Sequence, residues 1–80
     1  MTDNLKKLNE ILTRVLEMRE TDINDVASPE TVPAWDSYNA LMLVSELETG
    51  FNVHFTMDEV IAVKNVGDIK TALRKYGIKL

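Results

Sequence analysis

The chain predicts an all-α fold: a four-helix bundle with three long helices, a short third helix and a long loop between helices one and two. Three observations carry this. Leu5, Leu8, Leu12, Val15 and Leu16 recur at helical spacing. Ala40 to Val44 are five consecutive apolar residues inside a second helical pattern. Phe51, Val53 and Phe55 alternate like a strand, but no second strand is at hand to pair with them, so they read as loop anchors. Eighty residues make one domain, 1–80, and can bury one small core.

Helix one is expected from about Asp3 to Arg19. Ile11 flanks its apolar stripe, and Lys6, Lys7, Glu10, Arg14 and Glu17 take the other side. Lys6 with Glu10 and Glu10 with Arg14 are opposite charges one turn apart. From Glu20 to Asp36 the periodicity lapses over 17 residues. Asp22, Asn24, Asp25, Ser28, Pro29 and Pro33 are turn or cap formers, and Val32 before Pro33 is pushed toward an extended conformation. Ile23, Val26 and Val32 are the apolar residues expected to pin this loop. Loops of such length in small domains are often functional.

Helix two is expected from Ser37 to about Thr49, with Gly50 in the left-handed position that closes it and Phe51 folding back. Thr56-Met57-Asp58-Glu59 has the form of a capping box, and only Val60 to Val63 follow, so helix three is short. Asn65 can cap helix four, whose stripe is Val66, Ile69, Ala72 and Leu73. Lys70, Arg74 and Lys75 suit its C-terminal half, and Gly77 is its stop. There is no internal repeat and no low-complexity segment.

Charge and composition exclude several functions. Between Glu20 and Val60 there are nine acidic residues and no Lys or Arg. An acidic centre of this kind disfavours nucleic acid, whose phosphates require cations, and suits a partner with a basic surface. The chain has no Cys, so disulfides, a cysteine metal site and thiol chemistry by the chain itself are excluded. No leader and no apolar run of membrane-spanning length is visible, so a cytoplasmic location without membrane contact is expected. His54 has no second His and no Cys beside it, so no metal role is expected. Asp22-Ile23-Asn24-Asp25 suggests a calcium loop, but Val26 and Ala27 fall where a ligand and a Gly are needed. Asp36, Ser37 and His54 lack the nucleophile elbow and oxyanion hole of a hydrolytic triad.

Helix two has two faces. Sorted at roughly 100° per residue, Ala40, Leu43, Val44, Leu47 and Phe51 fall on the core side. Ser37, Tyr38, Leu41, Met42, Ser45, Glu48 and Thr49 fall on the other. That second strip is either covered by the loop and other helices or left as a docking face. Ser37 stands at its head, next to Asp36. Asp before Ser at a helix start is by itself a common cap.

The ordered string is more specific. A long loop, Trp35-Asp36-Ser37, a bulky Tyr38, then apolar spacing to Leu47-Glu48 and Phe51, then Met57-Asp58-Glu59 and Val66-Gly67-Asp68-Ile69, resembles the acyl carrier protein family over most of the chain. Within that family Trp35-Asp36-Ser37 is similar to the Trp-Asp-Ser form of some members. The resemblance implies one acyl carrier domain with no catalysis of its own. It implies 4′-phosphopantetheine esterified to Ser37, with Asp36 helping the attachment. The arm would carry acyl groups as thioesters in fatty-acid-like, polyketide or other specialised biosynthesis. The implied partners are a phosphopantetheinyl transferase, which transfers the arm from coenzyme A using its own Mg²⁺, an acyl-loading ligase or acyltransferase, and ketosynthase-type enzymes with basic docking surfaces. Tyr38, Leu41, Met42, Ser45, Glu48, Asp58 and Glu59 would dock partners. Leu41, Val44, Val60 and Val63 would line an acyl pocket between helices two and three. A monomer is expected. Tyr38 stands where the family usually has Leu, and Met42 and Ser45 also depart from fatty-acid carriers, which points to specialised partners. The rivals are an aminoacyl or peptidyl carrier and an unmodified helical interaction module.

Overall fold

The computed structural model describes residues 3–80. Helix α1 spans Asp3–Leu16, α2 Ser37–Phe51, α3 Met57–Ala62 and α4 Val66–Lys75, with a single 3₁₀ turn at Glu20–Asp22 inside the first loop. Among the described residues there is no strand, so Phe51, Val53 and Phe55 do not form one: Phe51 ends α2, and Val53 and Phe55 pack half-buried on the core.

The stripe of α1 buries Leu8, Ile11, Leu12 and Leu16. The helix stops three residues before the expected Arg19, because Glu17 takes a left-handed conformation with φ of 54°. The reason lies one residue on. Met18 is buried, yet two more helical residues after Leu16 would carry it about 200° round the axis, away from the core. Breaking the helix at Glu17 lets Met18 fold inward. Arg14 Nη2 reaches Glu46 at 2.6 Å and ties α1 to α2.

The end of α2 also differs from expectation. The left-handed residue is Asn52, with φ of 54°, and Gly50 lies inside the helix. A Cβ on Gly50 would stand 3.1 Å from Ile11 Cδ1. Glycine is therefore used there for close approach of α1, and Asn tolerates the left-handed turn that follows. Lys7 donates to the Gly50 carbonyl at 2.9 Å and lies over the Phe51 ring, 5.2 Å from its centre. The expected caps of α3 and α4 are present. Thr56 and Glu59 bond each other's backbone N–H groups, and Asn65 accepts from Asp68 N–H. Gly77, with φ of 84°, follows the last helix.

The long loop is held by residues that only partly match the expected anchors. Val32 is buried, but so are Ala27 and Trp35, while Val26 is 78% exposed and Ile23 half-buried. Two backbone bonds fasten the loop to the start of α4: Val66 N–H to Ala27 O at 3.0 Å and Gly67 N–H to Asp25 O at 2.9 Å. Lys70 Nζ adds an ion pair to Asp25 at 2.7 Å, which holds the Asp25 carboxyl below its ordinary range. With Ala27 and Asp25 fixed this way, the Val26 side chain between them is turned outward.

Candidate functional site

Ser37 is the first residue of α2. Asp36 before it is extended, and its carboxylate accepts from Asn39 N–H at 2.8 Å. Asn39 returns the favour to the loop, donating from Nδ2 to Ala34 O at 2.7 Å. Trp35, buried against the core, locks the same segment from below. Local physics thus fixes the entry of the helix from three sides. Asp36 is spent on the backbone as a cap, so it is not placed as a base for the serine. The Ser37 side chain is exposed, and among the described residues no hydrogen bond engages its hydroxyl. The first N–H groups of a helix have no intrahelical partner and carry the positive end of its dipole, so the surroundings of Ser37 favour an anionic substituent.

Beneath Ser37 lies a cavity of about 360 Å³ between α2, α3 and α4. Ser37 is both exposed and part of its lining, which puts the hydroxyl at the rim. All four residues expected to form a pocket, Leu41, Val44, Val60 and Val63, line it. So do Trp35, Phe55, Ile69 and Ala72, which sequence reasoning did not assign to it. Trp35 comes from the long loop, Phe55 from the connection between α2 and α3, and Ile69 and Ala72 from α4, and no local pattern in the chain indicates that those segments converge here. Apart from Ser37, the polar side chain in the lining with a charge is Glu59.

The outer face of α2 is not covered by other helices or by the loop. Tyr38 is 71% exposed, Leu41 69% and Met42 43%, and Ser45 is exposed beside them. Met57 and Ile61 of α3 are similarly bare. That could have been anticipated, since a six-residue helix carrying Met, Val, Ile and Ala around its circumference cannot bury them all. Of the acidic residues expected on this face, Asp36 and Asp58 are exposed. Glu48 and Glu59 are differently placed. Glu48 Oε2 accepts from Phe55 N–H at 2.8 Å and lies 3.4 Å from His54 Nδ1. The Glu59 carboxylate accepts from Thr56 N–H at 2.8 Å and from the Tyr76 hydroxyl, with Lys75 Nζ 3.5 Å away. The Thr56 backbone bond, then the Tyr76 hydroxyl, hold the Glu59 carboxyl down at about 2, and the same bond to Glu59 raises the Tyr76 phenol. These two carboxylates hold the fold together, so they are less available to a partner than Asp36 and Asp58. Among the described residues no cluster of His, Cys, Asp or Glu could hold a metal ion, and no helix is long and apolar enough to cross a membrane.

The four-helix frame that positions Ser37 has a structural counterpart. The fold is that of a candidate acyl carrier protein from Mycobacterium tuberculosis. The two superpose with a TM-score of 0.74 at 23% sequence identity, over 91% of this chain and 97% of the other. No family model matches the sequence, and no curated protein matches it. The likeness is one of fold.

Proposed function

We propose that the chain is a single acyl carrier domain, modified at Ser37 and without catalysis of its own. The observation that carries this reading is the position of an exposed, unbonded Ser37 hydroxyl at the rim of an apolar cavity of about 360 Å³. The fold it shares with a candidate carrier protein supports it. Attached there, 4′-phosphopantetheine supplies the thiol that this Cys-free chain lacks.

In the attachment step the Ser37 Oγ–H gives its proton to a base of the transferase. Oγ bonds to the pantetheine-side phosphorus of the coenzyme A diphosphate, the bond from that phosphorus to the bridging oxygen breaks, and adenosine 3′,5′-bisphosphate leaves with that oxygen. Ser37 contributes an unhindered nucleophile. Asp36 holds the helix start in place and presents a negative charge to a basic transferase surface. The free N–H groups at the start of α2 favour the phosphodiester. The strip Tyr38, Leu41, Met42 and Ser45, flanked by Asp36 and Asp58, offers an apolar centre with an acidic border to the phosphopantetheinyl transferase and to the loading and condensing enzymes. The cavity favours an acyl cargo over an aminoacyl or peptidyl one. Its charged lining residue, Glu59, already has its carboxylate bonded, so a polar cargo would find few partners inside.

Intact mass after incubation with coenzyme A and a broad-specificity transferase tests the reading. A gain of one phosphopantetheine in the parent and none in Ser37→Ala is expected. No gain with any transferase tried would leave the rival, an unmodified interaction module using the bare strip of α2.

A further inference from the structure

Helix α3 covers the cavity without belonging to the core. None of its residues is buried, yet Glu59 and Val60, with Val63 just after it, form one wall of the cavity. Six residues are too few for a helix to persist on its own hydrogen bonds. What holds α3 is polar and sits at its edges. Ahead of it, Phe55 N–H donates to Glu48 at 2.8 Å. Behind it, Lys64 N–H donates to Asp68 at 2.9 Å. Between these two ties, Tyr76 from the end of α4 makes two contacts. Its hydroxyl donates to the Glu59 carboxylate, and its ring meets Phe55 edge to face with centroids 5.6 Å apart. Phe55 and Glu59 both line the cavity, and Tyr76 stands outside it. One side chain thus clasps two parts of the wall from behind.

We propose that Tyr76 is a latch that keeps α3 closed over the apolar cavity, and that releasing its hydroxyl from Glu59 admits an apolar chain. An element with no buried side chain opens locally at little cost, while the rest of the bundle stays folded. The latch concerns α3 and the cavity alone, so it stands or fails separately from the modification of Ser37. The experiment accordingly uses the unmodified full chain.

Tyr76→Phe removes the hydroxyl and keeps the ring on Phe55. Amide hydrogen exchange should rise at residues 59–62 by roughly fivefold, the scale of one ordinary hydrogen bond, and stay unchanged in α1. A second readout uses Trp35, the one tryptophan of the chain, which is buried and lines the cavity. Its fluorescence should be quenched more strongly by 6-bromohexan-1-ol in Tyr76→Phe than in the parent. Lys75→Gln, which removes the longer contact to Glu59, should give a smaller change in both readouts. Equal exchange at α3 in parent and variant overturns the latch. An equal rise in α1 and α3 marks a general loss of stability and overturns it too, as does unchanged quenching.

Discussion

Two alanines of this chain should respond in opposite directions to the same substitution. Ala72 of α4 is half-buried and faces the cavity. Ala27 of the long loop is 5% exposed in the packed core and is not part of the cavity lining. Replacing either with Leu adds three carbons, worth up to about 0.8 kcal/mol each when fully buried. At position 72 those carbons enter existing space. With partial cover they should add about 1 kcal/mol of stability, since Leu is nearly as good a helix former as Ala. At position 27 there is no such space, and overpacking should cost about 1–3 kcal/mol. Urea unfolding followed by Trp35 fluorescence reads both. With a slope of about 1 kcal/mol/M for so small a protein, Ala72→Leu should raise the midpoint by about 1 M, and Ala27→Leu should lower it by at least as much. Loss of stability in Ala72→Leu comparable to that in Ala27→Leu would mean that the space between α2, α3 and α4 is not available to a side chain or to an apolar cargo.

Asp36→Asn should leave the thermal transition in place, because Asn caps a helix as well as Asp does, yet slow transfer of phosphopantetheine to Ser37; an unchanged transfer rate would remove Asp36 from partner docking. Glu48→Lys should lower stability by about 1–2 kcal/mol, because it strands the Phe55 N–H; a neutral result in chemical denaturation would contradict the tie drawn here. Gly50→Ala and Ile11→Val should be coupled, since a new Cβ would press on Ile11 Cδ1 at 3.1 Å. The double variant should be more stable than the sum of the singles by about 1 kcal/mol, and strict additivity would refute the contact. Glu59, depressed from 4.5 to about 2, contributes stability that is complete above 4.5 and lost as pH falls through about 2. Tyr76, whose value is raised above 10, contributes stability that is complete below 10 and lost as pH rises through the raised value. NMR titration of α3 should show both limits, and an ordinary carboxylate midpoint for Glu59 would contradict the first.

The helices and their caps were legible because each rests on a local rule. The α1 stripe, the Thr56–Glu59 box and the Asn65 cap need only neighbours a few residues away. The misplacements occur where a distant contact overrides such a rule. Gly50 was expected to end α2, but it is held inside the helix by the approach of Ile11, 39 positions earlier in the chain. Glu17 bends α1 because Met18 belongs to the core. At the candidate site, Asp36, Ser37 and the four pocket residues are expected from the motif and the family resemblance, and those four line the cavity. The places of Trp35 and Phe55 in the cavity lining and the contacts of Tyr76 follow from neither. Each acts through a contact with another segment, and no spacing within the chain encodes which segment that is.

Trp35 has a further consequence. It is 6% exposed and stands two residues before Ser37. The start of α2 cannot slide along its axis without dragging that indole out of the core. The position of the serine is therefore set by the packed core and not by the exposed part of the loop. In the proposed carrier, a group on Ser37 would start from a point anchored in the same core that α1 and α4 share.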